Sequence, residues 1–421
     1  MINDSKKNPR LAFVLVTMLF LTWGMANNMN DTLLAAFKRI MSMSDLQTSL
    51  VQFAYYGSYF CFAIPAALFI RRFSYKSGII LGLLLYAAGT MLFTPAGNVG
   101  SYKFFLVAIY IMAGGCAILE TTANPLIMAL GRPETATRRL NIAQSFNPVG
   151  AIAGILLSRA LILSELHDAD AVERLVMSPE ELAATQAHEF SAVSLTYMIV
   201  GIFLLLLTVV IILSPMTSER DDSKMNVSLR TAVASLWRNR RYRYGVVTQF
   251  FYVGAQTTVW SFVIRLAMQE LNIREAAASD YILASVVLFT VCRFLFTWLM
   301  KIFKPAVLMA VASVGAMLMT LIVMLGSGST AVSALVMISA FMSLMFPTIY
   351  GTAQAGITGG VAKIASSGLI MAIVGGALIT PLQGYVSDLT GSVSLSFCVP
   401  LVCFIVTFIY SVWISNDDSK Q

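Results

Sequence analysis

Two carboxylates, Asp31 and Glu120, lie inside otherwise apolar segments of the sequence. The chain is 58% hydrophobic and only 12% charged, so acidic residues in such surroundings are rare. Placing a charged side chain at the centre of a bilayer costs roughly 2.5 to 3.5 kcal/mol on insertion scales, so such residues usually line a pathway or carry protons. A carboxyl group buried among apolar helices can bind and release a proton near neutral pH, because burial disfavours its charged form. The two acids therefore predict transport coupled to proton movement.

Amide side chains accompany both acids at helical spacing. Asn28 lies three residues before Asp31, and Asn124 lies four residues after Glu120, so each acid shares a helix face with an amide. A third polar stripe repeats at spacing three and consists of Asn141, Gln144 and Asn147. The three stripes predict a shared water-filled cavity. The alternative is that the amides only join neighbouring helices, a contribution of about 0.6 kcal/mol each.

The second half of the chain has different chemistry. Its only full charge well inside an apolar run is Arg293, which we expect either to extend toward the membrane surface or to bond main-chain carbonyls. Its amides, hydroxyls and aromatic rings include Gln249, Phe251, Tyr252, Gln256, Trp260, Tyr350, Gln354 and Gln383. Such groups suit a neutral polyol, whose hydroxyls need donors and acceptors and whose C–H face packs on rings. An anionic substrate would require several buried cations.

Apolar runs long enough to cross a bilayer, about 20 residues each, occur twelve times. They span residues 11–37, 49–70, 78–95, 103–129, 140–163, 191–214, 244–268, 279–302, 305–326, 331–354, 365–387 and 392–414. The first run is too long, and at its end too polar, for a signal peptide. The sequence therefore predicts an all-α membrane protein with twelve transmembrane helices in two bundles of six.

Lys and Arg concentrate in the connections on one side of the predicted membrane. The main groups are Lys6, Lys7, Arg10, Arg71, Arg72, Lys76, Arg132, Arg138, Arg139, Arg220, Lys224, Arg230, Arg238, Arg240, Arg241 and Arg243. Cytoplasmic connections carry the excess of positive charge, so both termini are predicted to be cytoplasmic, in a bacterial inner membrane. The net charge of +7 is accordingly expected to interact with anionic lipid at the inner membrane surface, and no nucleic-acid partner is predicted.

One long charged connection divides the runs into two equal sets. We predict a cytoplasmic tail at 1–10, a first bundle at 11–214, a linker at 215–243, a second bundle at 244–414 and a cytoplasmic tail at 415–421. Met25-Ala26-Asn27-Asn28 in the first run resembles Gly254-Ala255-Gln256-Thr257 in the seventh, which favours two related halves. This organisation fits major facilitator transporters, whose substrate site lies near the midplane between halves.

Several motifs resemble signatures of the fucose:proton symporter family of the major facilitator superfamily. They are Ala26-Asn27-Asn28-Met29-Asn30-Asp31, Leu119-Glu120-Thr121-Thr122-Ala123-Asn124-Pro125, Arg139-Leu140-Asn141-Ile142-Ala143-Gln144-Ser145-Phe146-Asn147 and Tyr252-Val253-Gly254-Ala255-Gln256. Further likeness lies in 71–78, 346–350 and 375–388. Because the motifs recur in the same order over essentially the whole chain, the sequence is identified as a member of that family.

The resemblance implies that Asp31 and Glu120 are the proton-linked carboxylates, with Glu120 nearer the sugar. It implies that the second half contributes mainly packing surfaces. The predicted substrate-binding set is Asn28, Glu120, Asn124, Gln144, Asn147, Tyr252, Gln256, Trp260 and Tyr350. The expected protein is a monomer that imports a neutral monosaccharide with protons by alternating access. L-fucose or a related 6-deoxyhexose is favoured.

Three alternatives stay open at this point. A hexose carrier of the same family would move D-glucose or D-galactose, with sodium in place of protons in one branch. A membrane-embedded enzyme would use the two acids as an acid–base pair, but the sequence has no intramembrane histidine, H-E-x-x-H or G-x-S-x-G. A sugar receptor would need more than this short C-terminal tail to signal.

No cofactor or metal site is predicted. His167 and His188 are 21 positions apart in an acidic outer loop without a cysteine partner, and the five cysteines have no metal-ligand spacing. The chain also lacks the G-x-x-x-x-G-K-[ST] motif of nucleotide-driven pumps.

Overall fold

The computed structural model describes residues 9–41, 45–167, 174, 176–215 and 228–417. Within these ranges the side chains at 9, 27, 30–32, 34–35, 38–39, 45–49 and 275–276 lie outside the description. Asp31 is therefore described only as part of a helical main chain. Residues 1–8 of the predicted N-terminal tail, 216–227 of the predicted linker and 418–421 also lie outside the described residues.

In the described residues every regular element is a helix. The first half contains α1 (Pro9–Ile40), α2 (Asp45–Arg72), α3 (Tyr75–Met91), α4 (Phe93–Val99), α5 (Tyr102–Ala129), α6 (Ala136–Gln144), α7 (Phe146–Leu161) and α8 (Pro179–Leu213). The second half contains α9 (Leu229–Arg238), α10 (Arg240–Leu271), α11 (Glu275–Leu299), α12 (Pro305–Leu325), α13 (Gly328–Met342), α14 (Met345–Ala353), α15 (Gly359–Met371), α16 (Gly375–Thr390), α17 (Val393–Ser396) and α18 (Cys398–Asp417). Each of the twelve predicted runs coincides with one helix or with two or three consecutive short ones.

Ten helical segments of the described chain are long and apolar enough to cross a membrane. The other two predicted runs correspond to α1, of which Arg10–Ala26 is a described apolar stretch, and to α10, which carries Gln249 and Gln256. These are the first and the seventh runs, which open the two sets of six. Polar residues within a membrane helix usually face a protein interior or a water-filled cavity.

Two of the differences between the helix boundaries and the predicted runs have a local cause in the sequence. The sixth run was expected to begin at 191, but α8 begins at Pro179, because Ser178 and Glu181 form a capping box that starts the helix earlier. The fifth run is interrupted at Ser145, between α6 and α7, and Pro148 is the third residue of α7. Proline removes a main-chain donor and disfavours helical geometry in the residue before it, which accounts for a break nearby.

Basic residues at the predicted cytoplasmic side cap helix ends. The Lys76 ammonium donates to the carbonyls of Ile212 and Ser214, at 2.9 and 2.8 Å, and so closes the end of α8. The Arg139 guanidinium does the same for α5, with bonds of 3.2 and 2.6 Å to the carbonyls of Ile127 and Met128. A cation at a helix C-terminus satisfies unpaired carbonyls and complements the helix dipole.

The chain divides into two compact units, Met1–Ala123 with Val149–Arg220 and Asn124–Pro148 with Asp221–Gln421. In the first unit α7 packs against the main chain of α1. A Cβ atom at Gly150 would lie 1.8 Å from the Leu21 carbonyl oxygen, and one at Gly154 would lie 2.5 Å from that of Met25. Only glycine permits so close an approach of the two main chains.

The second unit repeats this contact between α16 and α10. A Cβ at Gly375 would lie 2.0 Å from the Phe250 carbonyl oxygen, and one at Gly254 would lie 2.2 Å from the Ile379 side chain. Phe250 follows Leu21 by 229 positions (250 minus 21), the same offset that relates Gly254 to Met25 (254 minus 25) in the sequence repeat. The packing of the two units therefore supports the predicted duplication.

Candidate functional site

Glu120 lies in the first unit, in the middle of α5, and its side chain is fully buried. Both carboxyl oxygens are enclosed. The Tyr59 hydroxyl and the Cys116 thiol lie close enough to interact with the carboxyl group electrostatically. Cys116 is one helical turn before Glu120, and Tyr59 comes from α2. Both of these neighbours are neutral polar groups, and burial disfavours the charged form of a carboxyl group.

Tyrosines near Glu120 are a part of this site that the sequence analysis did not single out. Tyr55 and Tyr59 are buried on α2, with their hydroxyl oxygens 3.4 Å apart and their ring centroids 5.4 Å apart. The Tyr86 hydroxyl, on α3, donates to the Thr22 carbonyl at 3.3 Å. The spacing of four residues between Tyr55 and Tyr59 was the available signal, because it places both phenols on one helix face.

Asn28 lies on α1 and is half-buried. Its amide nitrogen donates to the Gly24 carbonyl one turn earlier, at 3.1 Å. The predicted partner on the same stripe, Asp31, has its side chain outside the described residues, so its place beside Glu120 stays a prediction.

Amides of the predicted site meet in the second unit. The Gln144 amide nitrogen donates to the Asn124 side-chain oxygen at 3.0 Å, and both residues are buried. The Asn141 amide donates to the Thr348 hydroxyl at 3.3 Å and to the Thr137 carbonyl at 2.9 Å. Among the described residues the Asn124 nitrogen and the Asn141 oxygen have no hydrogen-bond partner. All three amides therefore connect neighbouring helices, while the cluster keeps one unused donor and one unused acceptor.

Arg293 lies in the same unit and is also buried. Its Nη1 donates to the Gln144 carbonyl at 3.1 Å, and its Nε donates to the Ser343 carbonyl. Its guanidinium carbon stands 4.5 Å from the centre of the Phe289 ring. Of the two roles considered for this residue, the structure shows bonding to main-chain carbonyls. A permanent charge is thereby satisfied by the protein itself.

Aromatic residues extend from Arg293 along α10. The Trp260 indole nitrogen donates to the Ser339 hydroxyl at 3.1 Å, and its ring packs edge-on against Phe289 at 5.1 Å between centroids. Tyr252 is fully buried, donates to the Met342 carbonyl at 2.9 Å and interacts electrostatically with Arg293. Gln256, one turn after Tyr252, is half-buried.

Tyr350 forms a separate polar contact in the second unit. Its hydroxyl donates to the Ser366 hydroxyl at 2.6 Å and accepts a bond of 2.9 Å from the Gln354 amide. Tyr350 and Gln354 are one turn apart and both are buried. This arrangement gives the buried Gln354 amide a hydrogen-bond partner, but it involves none of the other predicted site residues.

The predicted residues thus fall into groups. Asn124, Gln144, Tyr252 and Trp260 form one connected set around Arg293 and Phe289, Tyr350 stands with Ser366 and Gln354, and Glu120 and Asn28 belong to the first unit. Asn147 and Gln256 are half-buried. In the described parts of the chain no three metal-ligating side chains among His, Cys, Asp and Glu come together.

Comparisons with known proteins agree with this architecture. The model of the Major Facilitator Superfamily matches residues 12–367. An L-fucose-proton symporter of Haemophilus influenzae is 41% identical over 408 residues, covering 94% of this chain and 95% of the relative. A glucose/galactose transporter of Brucella abortus is 31% identical over 412 residues, covering 97% and 95%. The crystal structure of FucP, the E. coli fucose:proton symporter, in the outward conformation superposes with a TM-score of 0.90 at 37% identity, covering 97% of this chain and 99% of FucP.

The chain belongs to the Major Facilitator Superfamily and, within it, to the fucose:proton symporter family. This confirms the family and the fold that the motifs implied. The shared fold is that of a membrane transporter with twelve helices in two sets of six.

Proposed function

We propose that the protein is a proton-coupled sugar symporter that imports a neutral monosaccharide, with L-fucose or a related 6-deoxyhexose as the favoured substrate. The observation that carries the proposal is Glu120, a fully buried carboxyl group in the middle of a membrane helix with neutral phenol and thiol neighbours. Membership in a family that contains L-fucose-proton symporters agrees with that chemistry.

Glu120 and Asp31 are the proposed proton carriers. Burial among apolar helices costs less for a neutral carboxyl group than for a charged one. The protonated, sugar-loaded transporter can therefore change conformation and then release the proton on the other side of the membrane. Each proton that moves down a potential of 100 mV supplies about 2.3 kcal/mol. At 1.4 kcal/mol per tenfold, this energy supports roughly fiftyfold accumulation of the sugar. Alternating access needs no covalent chemistry and no cofactor.

The proposed sugar contacts are the amides and aromatic rings of the predicted set. The Asn124 amide nitrogen can donate to a hydroxyl, and the faces of Tyr252 and Trp260 suit the C–H surface of a pyranose. Arg293 supports a neutral substrate, because two of its donors already serve main-chain carbonyls. An anionic substrate would have to compete with those bonds.

The proposed setting is a bacterial inner membrane, with both termini in the cytoplasm and a single chain as the working unit. The basic residues that cap α5 and α8, Arg139 and Lys76, lie on the side that the distribution of charge assigns to the cytoplasm. Contact with anionic lipid on that side accounts for the positive net charge.

Coupling to protons can be tested with uptake into membrane vesicles at a fixed membrane potential. Labelled L-fucose uptake should increase with an inward pH gradient and should not change when sodium is replaced by potassium, because the proposed carriers are carboxyl groups that titrate. Strict dependence on sodium would contradict the proposal. The matched control is vesicles from cells that lack the transporter.

A hexose carrier is the second candidate, favoured by the 31% identity to the glucose/galactose transporter of Brucella abortus. A competition panel separates the two. L-fucose and other 6-deoxyhexoses should displace a labelled substrate more strongly than D-glucose and D-galactose. The reverse order would assign the chain to the hexose carriers.

A further inference from the structure

Helix α9 is amphipathic, and its exposed apolar face has no role in the proposed sugar binding or proton coupling. Ala232 and Leu236 are its buried residues, and the helix contacts α10 and α15 of the same unit. Leu229, Val233 and Trp237 follow one another at four-residue spacing and are 42%, 49% and 69% exposed. At 3.6 residues per turn they form a second apolar stripe directly beside the buried one. One part of the apolar face is covered by the protein, and the other faces outward.

Helix α9 directly precedes α10, the helix of the seventh predicted membrane run. The helix ends at Arg238 and the membrane helix α10 begins at Arg240, with the Asn239 side chain accepting from the Tyr242 main-chain nitrogen at 3.1 Å. Because a single residue separates the two helices, α9 lies next to the N-terminal end of α10.

Aromatic residues at the start of α10 are of the kinds found at membrane surfaces. Tyr244 is 42% exposed and packs edge-on against Trp413 at 5.3 Å between ring centroids. The Arg243 guanidinium lies 5.4 Å from the Tyr244 ring centre. Tyrosine and tryptophan are enriched at membrane–water interfaces, where one end of the ring is apolar and the other is hydrated.

Two arginines border the exposed stripe on its polar side. Arg230 and Arg238 are both exposed and line one shallow cavity together with Thr231, Ala234 and Ser235. They are eight residues apart, which corresponds to about 12 Å along a helix. Each can donate several bonds to a phosphate group, and guanidinium is well suited to that geometry.

We propose that α9 is an interfacial helix that binds anionic phospholipid of the adjacent membrane leaflet. Leu229, Val233 and Trp237 enter the boundary between headgroups and acyl chains, while Arg230 and Arg238 bind the lipid phosphates. The occupant is a lipid because the site combines an exposed apolar stripe with a cationic border. An anionic phospholipid matches both features, with acyl chains for the stripe and a phosphate for the arginines. The proposal does not depend on which sugar the protein carries.

The lipid site can be tested by titrating the full-length chain in detergent with phosphatidylglycerol and counting bound lipids by native mass spectrometry. The double variant R230Q/R238Q should bind the first phosphatidylglycerol about thirtyfold more weakly, because two basic residues at the lipid surface are lost. The matched control, K301Q/K304Q, also removes two exposed positive charges and should bind as the unmodified chain does.

Two comparisons make the result specific. Phosphatidylcholine should bind the unmodified chain and R230Q/R238Q alike, and soluble glycerol phosphate should not displace phosphatidylglycerol, because it lacks the acyl chains that contact the apolar stripe. Equal phosphatidylglycerol binding by R230Q/R238Q and the unmodified chain would overturn the proposal. So would an equal loss in K301Q/K304Q, or displacement by glycerol phosphate.

The depth of the helix can be measured independently with Trp237. In vesicles that contain phosphatidylglycerol brominated near the headgroup end of its acyl chains, the unmodified chain should lose more tryptophan fluorescence than W237F, since only the former has an indole at the interface on α9. Equal quenching of the two proteins would place Trp237 in water and contradict the proposal.

Discussion

Glu120 and Arg293 are two buried ionisable residues with different surroundings, and the difference agrees with the different roles proposed for them. Both residues are buried in membrane helices. Glu120 has a phenol and a thiol beside it, whereas Arg293 donates to two main-chain carbonyls and lies over the Phe289 ring. A carboxyl group can lose its charge by taking a proton, but a guanidinium cannot. The permanent charge therefore needs fixed partners, while the carboxyl group can alternate between two forms.

The two units share one kind of close helix contact but differ in the ionisable residue that each one buries. Helix α10 follows α1 at an offset of 229 positions (254 minus 25), and α16 follows α7 at an offset of 225 positions (379 minus 154). The glycine of the contact changes sides: Gly154 faces Met25 in one unit, and Gly254 faces Ile379 in the other. A close approach needs a small residue on only one of the two helices. The duplicated scaffold thus carries a buried acid, the proposed proton carrier, in one unit and a hydrogen-bonded cation in the other.

The largest structural effect is expected from removing the cation. Arg293→Met should lower the free energy of unfolding by about 2 kcal/mol or more, because the buried carbonyls of Gln144 and Ser343 lose their donors. Arg293→Lys should restore part of the loss. Denaturant unfolding in detergent measures it, with Arg265→Met, an exposed arginine on α10, as the control. Unchanged stability combined with lost sugar binding would instead make Arg293 a substrate residue.

An intermediate effect is expected from the amides. Replacing Asn28, Gln144 or Asn147 with Ala should weaken sugar binding by roughly 1 to 3 kcal/mol, if each bonds a sugar hydroxyl that is then left without its partner. Calorimetry measures the affinity. Gln383→Ala is the control, since this buried amide donates to Ser396 and lies outside the predicted set. Unchanged affinity in all three variants would assign these amides to helix packing and return the site to the aromatic residues of the second half.

The smallest effect is expected at Trp260. Trp260→Phe keeps a ring against Phe289 but removes the bond to the Ser339 hydroxyl, so the free energy of unfolding should fall by about 1 kcal/mol. Trp298→Phe, at a 52% exposed position, should change stability less. A larger loss in Trp298→Phe than in Trp260→Phe would show that the hydrogen bond does not matter.

The sequence predicted the helices well because apolar runs of membrane length leave few alternatives. It missed the early start of α8, where a capping box lies in an acidic segment that was taken for a loop. The acids and amides of the site were identified by type and spacing, whereas Tyr55 and Tyr59 were not, because aromatic residues are common in membrane helices and only packing shows which of them approach Glu120. The partners of Arg293 could not be predicted either, because every residue has a main-chain carbonyl and the sequence does not indicate which ones accept a hydrogen bond.

The two acids should also differ from each other. Glu120→Gln keeps the shape of the protonated side chain but cannot release a proton, so it should uncouple sugar movement from the proton gradient without closing the sugar path. Asp31→Asn should in addition slow the return of the empty transporter, which would reduce exchange as well as accumulation.

The central claim is tested most directly by measuring counterflow and active uptake of the same sugar in proteoliposomes that contain Glu120→Gln. The account predicts that counterflow continues while accumulation driven by an imposed pH gradient is lost, and that Glu134→Gln, which changes an exposed acid, retains both activities. Full proton-driven accumulation by Glu120→Gln would contradict the account, because the proton would then be carried by Asp31 alone or by another group.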